Sequence, residues 1–159
     1  LSSISNLGAL MYRKGDHAAA EPLFREVLEV QRETLGDRHP NTLASIGSLG
    51  SLLMVKGGFA AAEPLLRYAL EVSRETLGDR HPDTLSSGSN LGLLLQQKGD
   101  HATAELLLRE ALEVSRETLG DRHPATLPFI HNLGQLLQDK GDLAAAEPLC
   151  REALEVSRE

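Results

Sequence analysis

A 42-residue period runs the length of this chain, and no other feature constrains its fold as tightly. Leu1, Leu43, Leu85 and Leu127 open near-copies of one unit, so the 159 residues hold three full copies (1–42, 43–84, 85–126) and a fourth of 33 residues (127–159). Residues 1–42 and 85–126 agree at 31 of 42 positions, and Arg-Glu-Thr-Leu-Gly-Asp-Arg-His-Pro recurs unchanged at 32–40, 74–82 and 116–124. A unit this short cannot build a core alone. Each copy must bury its apolar face on its neighbours, which is the logic of a solenoid. No linker or low-complexity tract interrupts the series, so the expectation is one solenoid domain over 1–159. The first residue is not Met and the end falls within a copy, so the segment reads as a piece of a longer array.

Each copy divides into two helices. In the fourth, Ile130, Leu133, Gly134 and Leu137 fall at i, i+3, i+4 and i+7, the spacing of one helix face. Lys140-Gly141-Asp142 then supplies a cation for the last turn, a residue free to turn left-handed, and an N-cap for a second helix. That helix carries Ala146, Leu149, Cys150, Ala153, Leu154 and Ser157 on one side, with pairs such as Glu147–Arg151 on the other. His39-Pro40 opens the next first helix, where proline's missing N–H is not needed. Pro22, Pro64 and Pro148 lie about five residues into second helices and each removes a backbone hydrogen bond. Leu106 replaces them in the third copy, so the proline is tolerated rather than required. Strand signals are absent. The expected class is all-α: eight antiparallel helices in four helix-turn-helix units.

Composition narrows function by exclusion. Aromatics are 3% with no Trp, so the core must be Leu, Ala and Val, with small residues at Gly8, Gly50, Gly92 and Gly134 facing Ala20, Ala62, Ala104 and Ala146 for close helix approach. No apolar run nears the ~20 residues needed to span a bilayer, and no signal-peptide pattern is present, so a cytoplasmic protein without membrane partners is expected. A lone Cys150 excludes a disulfide framework and a zinc–thiolate cluster. Occupying the slot of Phe24, Leu66 and Leu108, it is expected to be a buried thiol. A net charge of −7 argues against nucleic acid. His39, His81 and His123 recur one copy apart, too far to share a metal, and are expected to cap or pack. No phosphate loop, HExxH or catalytic triad spacing appears. Neither an enzyme nor a cofactor is expected.

Ile4, Leu7-Gly8, Met11, Ala20 and Phe24, repeated with small changes in every copy, resemble the tetratricopeptide repeat (TPR). The 42-residue period with Asn-Leu-Gly, Ala-Glu-Pro-Leu and Leu-Gly-Asp-Arg-His-Pro-x-Thr-Leu is similar to the kinesin light chain type of that repeat. Gly88 departs from it where a large core residue is expected, and Ser48 stands where the other copies have Asn. With Gly47, these make the second and third first-helices the weakest expected. The resemblance implies a right-handed superhelix whose concave groove, lined by the first helices, binds peptides. It does not imply a kinesin subunit.

Differences between copies fall mostly on one stripe of each first helix. Position five is Ser5, Gly47, Ser89 and His131; position six is Asn6, Ser48, Asn90 and Asn132. Position nine is Ala9, Ser51, Leu93 and Gln135; positions twelve and thirteen are Tyr12-Arg13, Met54-Val55, Gln96-Gln97 and Gln138-Asp139. This is a helix face distinct from the packed one, and the resemblance makes it the groove. The expected binding residues are Asn6, Tyr12, Arg13, Ser48, Asn90, Gln96, Gln97, His131, Asn132, Gln135 and Gln138. Asparagine suits a peptide main chain because its amide both donates and accepts. First helices carry a net +4 against −11 elsewhere, yet only Arg13 sits squarely on the stripe, so a mostly neutral, polar protein segment is the expected ligand. The alternatives are a structural spacer that self-associates end to end, or a regulatory array within a signalling protein.

Overall fold

Lys-Gly-Asp and Gly-Asp-Arg-His-Pro punctuate the computed structural model, which describes residues 1–158. Among these the regular elements are all α-helices: α1 (Ser2–Arg13), α2 (His17–Leu35), α3 (Pro40–Val55), α4 (Phe59–Leu77), α5 (Pro82–Gln97), α6 (His101–Leu119), α7 (Leu127–Asp139) and α8 (Leu143–Val156). They gather into two units, Leu1–Gly78 and Asp79–Glu159.

The turn inside each pair is built by local chemistry. Gly15 follows the C-cap Lys14 at φ 79°, a left-handed conformation that costs a side chain dearly. Asp16, Asp100 and Asp142 then accept the backbone N–H of Ala19, Thr103 and Ala145 at 3.1, 3.2 and 3.1 Å. Gly58 holds the same place before α4 and has no side chain to cap with; its backbone carbonyl accepts the Ala61 N–H at 3.1 Å. In the longer connector Gly36 takes φ 87°, ψ 162°, open only to glycine. His39 and His81 cap α3 and α5, their Nδ1 accepting the N–H of Asn41 and Asp83 at 3.2 Å each; His123 makes the same bond to Ala125 at 3.1 Å, within the turn before α7. Pro40 and Pro82 open α3 and α5 as expected. α7 instead starts at Leu127, three residues after the equivalent Pro124. Pro128 is the reason. It has no N–H to donate to the carbonyl four residues back, and it disfavours helical geometry at Leu127. Pro22, Pro64 and Pro148 lie within helices that continue through them.

In the first unit α2 packs on both α1 and α3, and α3 on α4; in the second, α6 packs on α5 and α7, and α7 on α8. Ile46, Leu52, Leu66 and Ala62 form the centre of the first core, and Leu94, Leu108, Ile130 and Leu136 that of the second. Each such Leu or Ile contributes roughly 1.5–3 kcal/mol by leaving water. The interior glycines do allow close approach, but the nearest atoms belong to the large residue four after the alanine. A methyl on Gly50 would lie 2.6 Å from Leu66 Cδ2, on Gly8 2.8 Å from Phe24 Cε1, and on Gly92 3.0 Å from Leu108 Cδ2. At Gly134 the nearest atom, Cys150 Sγ, would be 3.6 Å away, an ordinary contact. Cys150 itself is exposed rather than buried. Leu108 lies on α6, which packs on both α5 and α7, whereas α8 packs on α7 and reaches α6 through the Arg116–Glu152 pair (2.5 Å), with Cys150 bordering an open depression.

Charged side chains tie successive pairs together. Glu21 accepts Arg25 on its own helix at 2.6 Å and also Lys56 from the end of α3; Glu105 does the same with Arg109 at 2.7 Å and Lys140. Arg38–Glu75 (2.9 Å) and Arg80–Glu117 (2.7 Å) join connectors to second helices. The lysine hydrogen bond, then the arginine one, holds the carboxyls of Glu21 and Glu105 below their ordinary 4.5, against a smaller opposing effect of burial.

Both the glycine contacts and the shared carboxylates can be tested by unfolding. Gly50→Ala should lose about 1–3 kcal/mol to overpacking against the fully buried Leu66, outweighing the gain of up to about 1 kcal/mol in helix propensity. Gly134→Ala should keep that gain, so urea melts of the two variants should shift in opposite directions. A carboxylate with a depressed folded pKa stabilises the fold above its unfolded pKa and loses that contribution as pH falls through the folded value. Thermal melting should therefore drop as pH falls below about 4.5, and Glu105→Gln should make that drop shallower.

Candidate functional site

The candidate face is best assembled in the second unit, where α5 and α7 meet. Asn132 Nδ2 donates to Ser89 Oγ at 2.9 Å, linking position six of one copy to position five of the copy before. One turn and more along, Gln96 Nε2 donates to Asp139 Oδ2 at 2.5 Å, while Gln135 Nε2 donates to Asp139 Oδ1 at 2.9 Å. Gln96 is buried by this arrangement, with its amide turned to the neighbouring helix. The bonds from Gln135 and then Gln96 lower the Asp139 carboxyl pKa against a smaller desolvation effect, and the charge of His101 adds to the lowering.

Beside the Asn132–Ser89 link, toward the starts of α5 and α7, lies a cleft of about 310 Å³. Asn90 and Asn132 stand on its two sides, with Ser86, Ser89 and Thr118 as further polar groups and Leu85, Pro128 and Phe129 as apolar wall. Among the described residues no charged side chain lines it. Asn90 is half-buried there. Asn132 gives one N–H of its amide to Ser89, which leaves the second N–H and the carbonyl oxygen to meet other groups.

The other expected residues are more scattered. His131 is exposed and borders a second opening shared with Cys150 and Leu154. Gln138 is exposed and donates to Cys150 Sγ at 3.0 Å, toward α8 rather than α5. Gln97 is exposed. In the first unit Asn6 and Arg13 are exposed, and Ser48 Oγ donates to the Ala44 carbonyl at 3.0 Å, within its own helix. Ser48 also borders a smaller cleft of about 170 Å³ between α1 and α3, with Ser5, Ala9 and Ser45. The Tyr12 ring packs at a tilt against His17 (5.3 Å between centroids, 55° between planes) and Phe24 (6.3 Å), so it lies against the α2 side of its own pair.

Asp139 and Ser89 are the two residues of this network outside the expected set. Their signal was present in the copy differences: position thirteen runs Arg13, Val55, Gln97, Asp139, a change of charge on the stripe. Among the described residues no cluster of His, Cys, Asp or Glu could hold a metal ion, and no helix is long and apolar enough to cross a membrane.

Helix pairs repeating every 42 residues define an all-α repeat solenoid, and comparison with known proteins places that solenoid in a family. Tetratricopeptide repeat profiles match residues 1–41, 46–117 and 86–159. The chain belongs to the tetratricopeptide repeat family. BtubC (BKLC) from P. vanneervenii is similar in structure with a TM-score of 0.81 at 25% identity, over 99% of this chain; this chain spans 62% of that one. The kinesin light chain protein of Podosopora anserina with nearly identical TPR-like repeats is similar with a TM-score of 0.65 at 23% identity, over 99% of this chain and 94% of that one. A point variant of that fungal protein scores alike, over 98% of this chain and 93% of its own. No curated protein matches the chain at a significant level. Repeats of this family are generally protein-interaction scaffolds and typically non-catalytic.

Removing Asp139 tests the network. Asp139→Ala should cost about 1–3 kcal/mol in urea unfolding, because the buried Gln96 amide loses its acceptor. Gln135→Ala, at an exposed position, should cost less than about 1 kcal/mol by the same measurement.

Proposed function

We propose that the chain is a scaffold that binds an extended protein segment on the first-helix face, with the α5–α7 cleft as its central subsite. The observation that carries this reading is the uncharged cleft with two asparagine side chains on opposite walls. Paired amides of this kind satisfy the N–H and C=O of a peptide main chain whatever its side chains. The wall of Leu85, Pro128 and Phe129 offers room for one apolar side chain of the ligand. The ligand is therefore a neutral, extended segment bearing a small apolar anchor, met in the cytoplasm without membrane or nucleic acid.

A display library of random heptapeptides, panned on the chain, supplies the probe. A selected peptide should bind measurably by calorimetry, and Asn90→Ala with Asn132→Ala should weaken it about 10-fold or more, as lost hydrogen bonds of roughly 1 kcal/mol each imply. With no charge in the cleft, affinity should change little with added salt. Unchanged affinity in the double variant, with its helical signal intact, would overturn the reading.

A further inference from the structure

Arg32 and Arg116 are equivalent residues of α2 and α6 with unequal surroundings. Each lies beside the aspartate of its own connector: Arg32 Nε is 3.0 Å from Asp37 Oδ1, and Arg116 Nε is 3.3 Å from Asp121 Oδ1. Arg116 has a second partner, donating from Nη2 to Glu152 Oε2 on α8 at 2.5 Å. At the same spacing from Arg32 stands Tyr68, which has no carboxylate to offer. Glu26, Glu110 and Glu152 hold that position in the other copies, so the exchange is confined to α4. The Arg32 side chain is correspondingly more exposed than that of Arg116, 46% against 31%.

Arg32 borders a cleft of about 320 Å³ on the second-helix side of the first unit, shared with Arg25, Leu28, Glu29, Leu49 and Leu65. These residues belong to the consecutive helices α2, α3 and α4, each of which has helices before and after it in the chain. Leu28 and Leu49 make a buried floor, and Leu65 is half-buried. Arg25 gives Nε and Nη2 to Glu21, and among the described residues Glu29 pairs with neither arginine. The second unit repeats the floor residue for residue, with Leu112, Leu133 and Leu149, and there Glu152 supplies the carboxylate.

We infer that this α2–α4 cleft takes an acidic side chain of a partner protein, seated on the Arg32 guanidinium as Glu152 is on Arg116, with an adjacent aliphatic side chain over Leu28, Leu49 and Leu65. Asp37 engages Nε, which leaves both Nη groups of Arg32 as donors for an incoming carboxylate. A guanidinium already held by one aspartate loses less freedom when a second carboxylate arrives. The lining carries two cations and one anion, so charge favours an acidic occupant over a basic one. The uncharged α5–α7 cleft is a different site with a different ligand chemistry.

A random heptapeptide display library, panned on the chain and counter-selected on its Arg32→Gln variant, supplies the probe. Recovered peptides should carry Asp or Glu beside Leu, Ile or Val. By calorimetry, Tyr68→Glu should weaken a recovered peptide about 10-fold or more, because Arg32 then has a carboxylate of its own. Its helical signal should be unchanged, since three other copies carry glutamate there. The same peptide with its acidic residue changed to the amide should bind as weakly to the unaltered chain. Added salt should lower the affinity, while Asn90→Ala with Asn132→Ala should leave it unchanged, which separates this site from the α5–α7 cleft. Failure to recover any peptide that distinguishes the chain from Arg32→Gln overturns the inference. So does a recovered peptide that binds Tyr68→Glu as tightly as the unaltered chain, or that tolerates loss of its carboxylate.

Discussion

The fold rests on the covering of one helix's apolar stripe by its neighbours. Helices of 12 to 19 residues are marginal alone, and α1, α2 and α3 each carry glycine or proline within them. What holds α2 is contact with α1 on one side and α3 on the other, and α6 is held likewise between α5 and α7. Leu66 and Leu108 show how tight the fit is: both are fully buried, and both sit within 3.0 Å of where a methyl on the facing glycine would stand. The glycine that weakens a first helix by propensity is the residue that lets the leucine reach its centre.

Charge is layered on this packing. The i,i+4 pairs Glu21–Arg25 and Glu105–Arg109 look like ordinary surface pairs, each worth a few tenths of a kcal/mol. Their second partners, Lys56 and Lys140, come from another copy 35 residues on, so the same carboxylates also fix how one helix pair sits on the next. A lysine that complements a helix end thereby acts as a register pin.

Much of the architecture could be read from residue order because a repeat states its own rules several times. Lys-Gly-Asp gave the turns, His-Pro the starts of α3 and α5, and the family pattern the helix pairing. Where one copy departs from the rest, local chemistry took over: Pro128 delayed α7, and Cys150 lies exposed beside an open depression on α8. The site was less legible. Positions five, six, twelve and thirteen do lie where α5 and α7 approach, but a list of variable residues does not say which bond to one another. Gln96 became buried and Asp139 became its anchor because the two helices meet at an angle that brings position twelve of one to position thirteen of the next. Tyr12 went to the α2 side of its own pair, drawn by His17 and Phe24.

The uncapped start of α4 has a kinetic side. Asp16, Asp100 and Asp142 each close one of the free N–H groups at the head of a second helix with a carboxylate, while at Gly58 only the backbone carbonyl is there to take the Ala61 N–H, at 3.1 Å. The opening free energy of that first turn is lower by roughly a few tenths of a kcal/mol than at its three counterparts. The Ala61 amide proton, held by a backbone carbonyl alone, then trades with solvent sooner than its carboxylate-bonded counterparts at Ala19, Thr103 and Ala145. In a molecule whose copies are otherwise so alike, a single missing carboxylate gives one repeat its own breathing rate.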